Sequence, residues 1–351
     1  MEKLKKNSIV TALSIYASRV SACIAVMDKD TGPNIIGLGK SEGRFMGGTG
    51  VLDIDGLCRA IRDSLKMAGD EAGAESPRAL ISISGGAITS QVSRGMITLS
   101  QRGEEISEKN IKSVLRIADR TPASIEKEII HSIPQDFSVD GQDGIKNPAG
   151  LYGVKLEAET LLISAHVPFL QNVVKCLNLA GTEAEDIVFS GVAASRCLLP
   201  FEGNDGTGIV LLEIDNNFTA LSLFFSNVLR SVDVYSKSVI ADGALEILKE
   251  KIDKMRGHKP ISRIMLAGGS YFHEDFMGKV DSVFGIPSQM AHARNARGTA
   301  RDISNPAHLT SLGLALYGLE KQRRGIPHRK AGAGLFHRAS RRFGDFLNEY
   351  F

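Results

Sequence analysis

The sequence has no Cys-x-x-Cys pair, no His-Glu-x-x-His run and no Ser/His/Asp grouping at motif spacing. Its four cysteines, Cys23, Cys58, Cys176 and Cys197, stand far apart in apolar segments. That spacing argues against a zinc site or a dithiol redox centre and reads as buried thiols in a reducing compartment. The eight histidines are scattered. His131 and His166 fall in apolar, strand-like runs and read as satisfied core residues. No apolar run reaches the roughly 18–20 residues that span a bilayer. The first twenty residues are basic and then apolar, like a secretory leader. Ser8, Thr11, Ser14, Tyr16, Ser18 and Arg19 interrupt that run, which suits a first β-strand better. A strong net charge is lacking too: 42 basic and 40 acidic residues leave +2. Nucleic acid is not an expected partner, and Arg294, Arg297 and Arg301 read as a solvated loop.

What is present is a chain of 351 residues, 43% hydrophobic and 23% charged. That length calls for two domains or two lobes of one large fold. The small net charge hides an asymmetry. Residues 321–344 hold eight Lys or Arg and no acid, and with Asp345 and Glu349 the last segment carries +6. The remaining 34 basic and 38 acidic residues leave −4 on 1–320. A basic tail on an acidic body points to an anionic surface.

Two stretches share one plan. Residues 9–16 and 20–27 read as strands about a turn at Ala17, Ser18 and Arg19. Gly208 to Ile214 and Phe218 to Leu223 repeat the arrangement about a polar turn. Between them, Asp53 or Asp55 can cap a helix with Leu57, Ile61, Leu65 and Ala68 on one face. Residues 80–84 form a strand ending at Gly85 and Gly86, read as a turn rather than a phosphate loop. Thr89 to Leu99 reads as a strand, and Ser107 to Ala118 as an amphipathic helix with a cap short of a full capping box. Helices are expected at 169–180 and 239–255, and at 305–318. A short helix follows the strand at 187, and a further strand covers 264–269. At 100° per residue, Leu335, Phe336, Ala339, Phe343, Phe346, Leu347, Tyr350 and Phe351 cluster within about 160°. Arg338, Arg341 and Arg342 lie on the other side. Behind the basic linker 321–334, this segment reads as an interfacial membrane helix.

The turn-rich stretch from Ile129 to Ala165 is the most informative. Its order runs Ile-Pro-Gln-Asp-Phe, then Asp-Gly-Gln-Asp-Gly-Ile-Lys-Asn-Pro-Ala-Gly-Leu-Tyr-Gly-Val-Lys-Leu. It resembles the signature of FtsA, the actin-like bacterial cell-division family. The resemblance implies an α/β actin-like two-lobed fold with duplicated strand–turn–strand cores and an FtsA-type inserted subdomain in lobe one. It divides the chain into a first lobe at 8–85 and 166–202, the insert at 86–165 and a reduced second lobe at 203–320. The insert would serve partner contacts and self-assembly, with Asp136, Phe137, Lys146, Asn147 and Tyr152 as candidates. The family's tail helix implies peripheral attachment to the cytoplasmic face of the cell membrane through its anionic surface. Division proteins, including FtsZ, and further copies of the chain are the implied partners. The interval that holds the FtsZ-tail subdomain in the family is nearly absent before residue 264.

The same resemblance implies nucleotide loops, and these depart from pattern. The first family loop is close to Gly-Leu-Asp-Ile-Gly-Thr-Ser-Lys. Here Ser14 replaces the acid, Tyr16 fills the glycine position, Ala17 lacks the hydroxyl, and only Ser18 and Arg19 survive. The second, Asp-Ile-Gly-Gly-Gly-Thr, reads Glu213-Ile214-Asp215-Asn216-Asn217-Phe218. No glycine remains, and Asp215 sets a carboxylate where phosphate would lie. Two unit charges about 4 Å apart repel by roughly 1 kcal/mol in water and more near a protein surface. The adenosine loop survives as Leu266-Ala267-Gly268-Gly269, which also reads as a plain strand-to-helix turn. The expectation is a scaffold that is not an enzyme, a pseudo-ATPase with no cofactor. ATP and Mg enter only by the resemblance. Two alternatives remain: a divergent nucleotide-binding FtsA using Glu213, Gly268 and Gly269, and an actin-like adaptor of a pilus or secretion machine.

Overall fold

The computed structural model describes residues 9–28, 30–47, 50–120, 126–200, 206–236, 243–268 and 274–324. They divide into two compact units, one comprising the chain to Ile88 and again from Pro168, the other Thr89–Val167.

The first unit opens with β1 (Ile9–Ile15), β2 (Arg19–Asp28) and β3 (Gly32–Glu42), an antiparallel meander. Every residue from Val10 to Val26 is buried except Ser18, the pattern of strands covered on both faces. Helix α1 (Ile54–Ala72) starts at Asp53, whose carboxylate accepts from the Gly56 N–H at 2.8 Å. It reaches β3 closely because Gly37 and Gly39 carry no Cβ to strike the Ala68 and Ser64 carbonyls. Parallel strand β4 (Arg78–Ile83) then joins β1.

The second unit is built from β5 (Ile88–Thr98), β6 (Glu104–Glu105), α2 (Glu108–Ala118), β7 (Lys127–Val139), β8 (Gln142–Ile145), β9 (Tyr152–Gly153) and β10 (Lys155–His166). Its sheet order is β5-β10-β7-β8. Helix α2 seats Ile111, Val114 and Leu115 on Phe137, Val139, Leu156 and Ala158. Its N-terminus is better capped than the sequence suggests. Asn110 accepts from the Ser107 N–H at 2.9 Å while Ser107 Oγ accepts from the Asn110 N–H at 3.3 Å. That is a full capping box with asparagine in the place of the usual Glu or Gln.

The first unit continues through α3 (Val167–Leu179), β11 (Glu183–Phe189) and α4 (Ser190–Leu198). A second meander follows: β12 (Gly208–Ile214), β13 (Thr219–Phe225) and β14 (Val228–Tyr235). Then come α5 (Ala244–Arg256), β15 (Ile261–Gly268), α6 (Glu274–Phe284), β16 (Ser288–Met290) and α7 (Leu309–Arg323). The two sheets share one plan, β3-β2-β1-β4-β11 and β14-β13-β12-β15-β16. Each is a three-stranded meander extended by two parallel strands, the duplication anticipated at the two hairpins.

Three details differ from expectation. The helix foreseen from 239 starts at Ala244, because Gly243 sits at φ +73° and cannot continue a right-handed helix; Ile240 lies outside the described residues. Helix α7, grouped by sequence with the second lobe, packs on the first sheet. Gly318 faces Val10 and Leu80, and Gly313 lets α7 approach Ala193 of α4. His131 and His166, read as core residues, are half-buried. Only Gly257 to Pro260 separate α5 from β15, so the long interval of the family pattern is absent there.

Candidate functional site

The two meanders bring their first turns together. The β1–β2 turn closes with the Tyr16 N–H on the Arg19 carbonyl at 2.8 Å, and the β12–β13 turn with the Asp215 N–H on the Phe218 carbonyl at 2.9 Å. Between them lies the Asp215 carboxylate, 6% exposed. It accepts from the backbone N–H groups of Ala17 at 2.6 Å and Ser18 at 3.3 Å, from the Ser18 hydroxyl, and from the Asn216 N–H at 2.8 Å. Successive backbone N–H groups in a turn form an anion-binding concavity. Here that concavity is filled by an acid from the facing sheet.

Behind it, Glu213 is wholly buried at the end of β12. Three hydroxyls converge on its carboxylate: Tyr16 at 2.5 Å, Ser190 at 2.7 Å and Thr310 at 3.2 Å. Tyr16 and Thr310 also meet at 2.8 Å. Burial raises the Glu213 pKa above the usual carboxylate range, outweighing the hydroxyl donors and the Arg19 charge. Burial, then the Glu213 charge and hydrogen bond, push the Tyr16 phenol well above its ordinary value. Arg19, 8% exposed, lies over the Tyr16 ring with its guanidinium carbon 5.2 Å from the centroid. The Tyr16 and Phe218 rings stack at 6.1 Å, their planes 2° apart.

A third group sits deeper. His308, at the entry to α7, is hydrogen-bonded through Nδ1 to Ser21 Oγ across 2.8 Å, and Ser21 meets Ser311 at 2.8 Å. Burial holds the imidazole neutral, pulling its pKa down to about 4. The space left around the turns is a cavity of about 10 Å³ lined by Ala17, Met46, Ser84, Gly85 and Phe218 among others, enough for one water.

These residues do not fit a nucleotide's phosphates. The turn donors are satisfied by Asp215, the buried Tyr16 and Phe218 rings stack at the same turns, and Glu213 is enclosed by hydroxyls rather than turned to a cation. Among the described residues, no three His, Cys, Asp or Glu side chains gather as a metal site. Gly268 has a packing reason of its own: it sits at φ +134°, and a Cβ there would collide with the Ile214 carbonyl. Gly269 lies outside the described residues.

Of the remaining candidates, Ser14 is buried in β1 with no hydrogen-bond partner for its hydroxyl among the described residues. Asn216 is exposed, and Asn217 crosses to donate to the Met46 carbonyl at 2.9 Å. The sequence pattern missed Ser190, Thr310, His308 and the ring of Phe218 as members of the cluster. They come from α4, α7 and the second turn, and a lone hydroxyl or phenyl carries no spacing signal. In the second unit Lys146, Asn147 and Tyr152 are exposed, Tyr152 at 74%, and Asp136 is half-buried. Phe137 is a correction: strand alternation turns it inward against α2, where it is core and cannot meet a partner. Arg294, Arg297 and Arg301 are exposed as expected. The tail candidates, Leu335, Phe336, Arg338, Ala339, Arg341, Arg342, Phe343, Phe346, Leu347, Tyr350 and Phe351, lie outside the described residues, and so does the linker beyond Arg324. The linker's first residues are a correction: α7 runs to Arg323, Lys321 is buried against Asp186 at 3.1 Å and Arg324 pairs with Glu320 at 2.7 Å. Among the described residues no helix is long and apolar enough to cross a membrane.

Comparison with known proteins places these features. Residues 85–164 match the family model of the SHS2 domain inserted in FtsA. The chain is 28% identical to cell division protein FtsA of Escherichia coli over 242 residues, 68% of this chain and 57% of that protein. The match to FtsA of Bacillus subtilis is 30% over 233 residues, 66% of this chain and 52% of that protein. The chain thus spans little more than half the length of these relatives. A longer alignment, to FtsA of Pseudomonas aeruginosa, covers 95% of this chain and 94% of that protein at 22% identity. Among solved structures, the PilM-PilN type IV pilus biogenesis complex superposes with a TM-score of 0.67 at 15% identity, covering 88% of this chain and 98% of that one. The ethanolamine utilization protein EutJ from Carboxydothermus hydrogenoformans gives 0.50 at 13%, covering 88% and 90%. The chain is FtsA-like, with the actin-like α/β fold.

Proposed function

We propose that this protein is a membrane-tethered, actin-like scaffold of bacterial cell division that assembles with its own copies and does not hydrolyse ATP. The observation that carries the reading is the Asp215 carboxylate seated on the Ala17 and Ser18 N–H groups. A protein whose cleft donors are satisfied in cis has no use for a nucleotide to bring its lobes together. Its assembly then answers to membrane and partner contacts. The basic linker and the Phe-rich tail supply attachment to the cytoplasmic face of the membrane, each Lys or Arg near anionic lipid adding about 1 kcal/mol. The exposed Lys146, Asn147 and Tyr152 of the second unit are the surface offered to division partners or to another copy. FtsZ is a candidate partner by likeness to FtsA. The short α5–β15 connection argues against contact through the subdomain that the family pattern places there.

Sedimentation with anionic vesicles, with and without ATP–Mg, tests this. The full chain is expected to pellet equally in both, and deletion of 334–351 to leave it in the supernatant. Pelleting that requires ATP–Mg, or that survives the deletion, contradicts the proposal.

A further inference from the structure

We propose that the β1–β2 turn is an oxyanion receptor whose resident ligand is Asp215, and that this internal anion clamps the two sheets of the first unit together. The inference rests on the cis-occupied reading of the cleft and extends it to a binding site that the wild-type chain conceals. The receptor comprises the Ala17 and Ser18 N–H groups and the Ser18 hydroxyl, three donors on one turn. The ligand belongs to the opposite sheet, so each of these bonds joins the β12–β13 turn to the β1–β2 turn. A carboxylate bonded by backbone N–H groups forms charge-assisted bonds, about twice as strong as neutral ones. With the carboxylate removed, the three donors lose their acceptor in a largely buried turn, which is costly. An inorganic phosphate or sulfate carries the same charge sign and acceptor chemistry. The small cavity lined by Ala17 and Phe218 adds to the space that truncating Asp215 frees.

The test is thermal unfolding of the full chain, wild type, Asp215→Ala and Asp215→Ser, in phosphate, sulfate or chloride at matched ionic strength. The wild type is expected to unfold at one temperature in all three salts. Asp215→Ala is expected to lose about 5–10 °C in chloride and to recover at least half of that in tens of millimolar phosphate or sulfate. A wild-type midpoint for Asp215→Ala, or equal effects of phosphate and chloride on it, overturns the proposal. Should Asp215→Ala fail to fold, amide hydrogen exchange in Asp215→Ser, which also shortens the side chain and removes the carboxylate, decides. Exchange at Ala17 and Ser18 is expected to quicken at least tenfold in chloride and to slow in phosphate. Exchange that is unchanged from wild type, or indifferent to phosphate, overturns the proposal. ATP–Mg binding by the wild type would refute the cleft reading, whereas absent oxyanion rescue beside an inert wild type refutes this inference alone.

Discussion

Glu213→Ala is expected to destabilise the first unit by about 3–5 kcal/mol, with Glu213→Gln costing about 1 kcal/mol or less. The alanine removes the acceptor of three buried hydroxyls, those of Tyr16, Ser190 and Thr310. Each orphaned donor costs about 1–3 kcal/mol, partly recovered where Ser190 or Thr310 turns to a backbone carbonyl. Glutamine keeps the shape: its carbonyl accepts from two hydroxyls and its amide donates to the third. It also carries no buried charge, the feature that raises the Glu213 pKa. Because that pKa is raised, protonation favours the folded state. The glutamate's contribution is greatest below its ordinary carboxylate value and is lost as pH rises through the folded one. Urea unfolding of both variants measures this. Equal losses for Ala and Gln would mean that the carboxylate acts as a charge and not as the centre of a hydroxyl cluster.

The second large effect belongs to the other unit. Asp119, at the C-terminal end of α2, is buried, with one oxygen accepting from Ser132 Oγ at 2.5 Å and the other without a partner among the described residues. Burial raises its pKa to about 7, and an acid at a helix C-terminus also opposes the helix dipole. Its contribution is full below the unfolded value near 3.8 and is lost as pH rises to about 7. At 1.36 kcal/mol for each tenfold change in proton affinity, that loss amounts to about 4 kcal/mol. Asp119→Asn removes that loss but leaves an amide donor unpaired at about 1–3 kcal/mol. The variant is therefore expected to be about 1–3 kcal/mol more stable than wild type at pH 8 and less stable below about pH 5. The midpoint of the second unit against pH reads this directly. Parallel curves for the two proteins would refute the burial account.

The sequence made the two hairpins legible because each alternates apolar runs about a short polar turn, and the departures of those turns from the family's loop pattern could be read residue by residue. It also placed Asp215 where phosphate would lie. The identity of its partners was not legible, since the Ala17 and Ser18 amides reach Asp215 across 198 and 197 residues of sequence, and the Glu213 cluster gathers Tyr16, Ser190 and Thr310 from 197, 23 and 97 residues away. Strands β3 and β14 were hidden for a related reason. Gly37, Gly39 and Pro33 interrupt one, and Arg230 and Asp233 the other, so neither presents a clean period. Gly37 and Gly39 look like breakers in sequence but are what lets α1 lie on the sheet. Phe137 shows the opposite error: a motif residue looks functional until strand alternation puts it in the core.

In the cleft between the two turns the Ala17 and Ser18 N–H groups are already taken by Asp215. Isothermal titration of the wild-type chain with ATP–Mg measures that most directly. It is expected to release no binding heat at millimolar nucleotide. A micromolar dissociation constant would contradict it, for ATP could then reach the turns only by displacing Asp215 and the stacked Tyr16 and Phe218 rings.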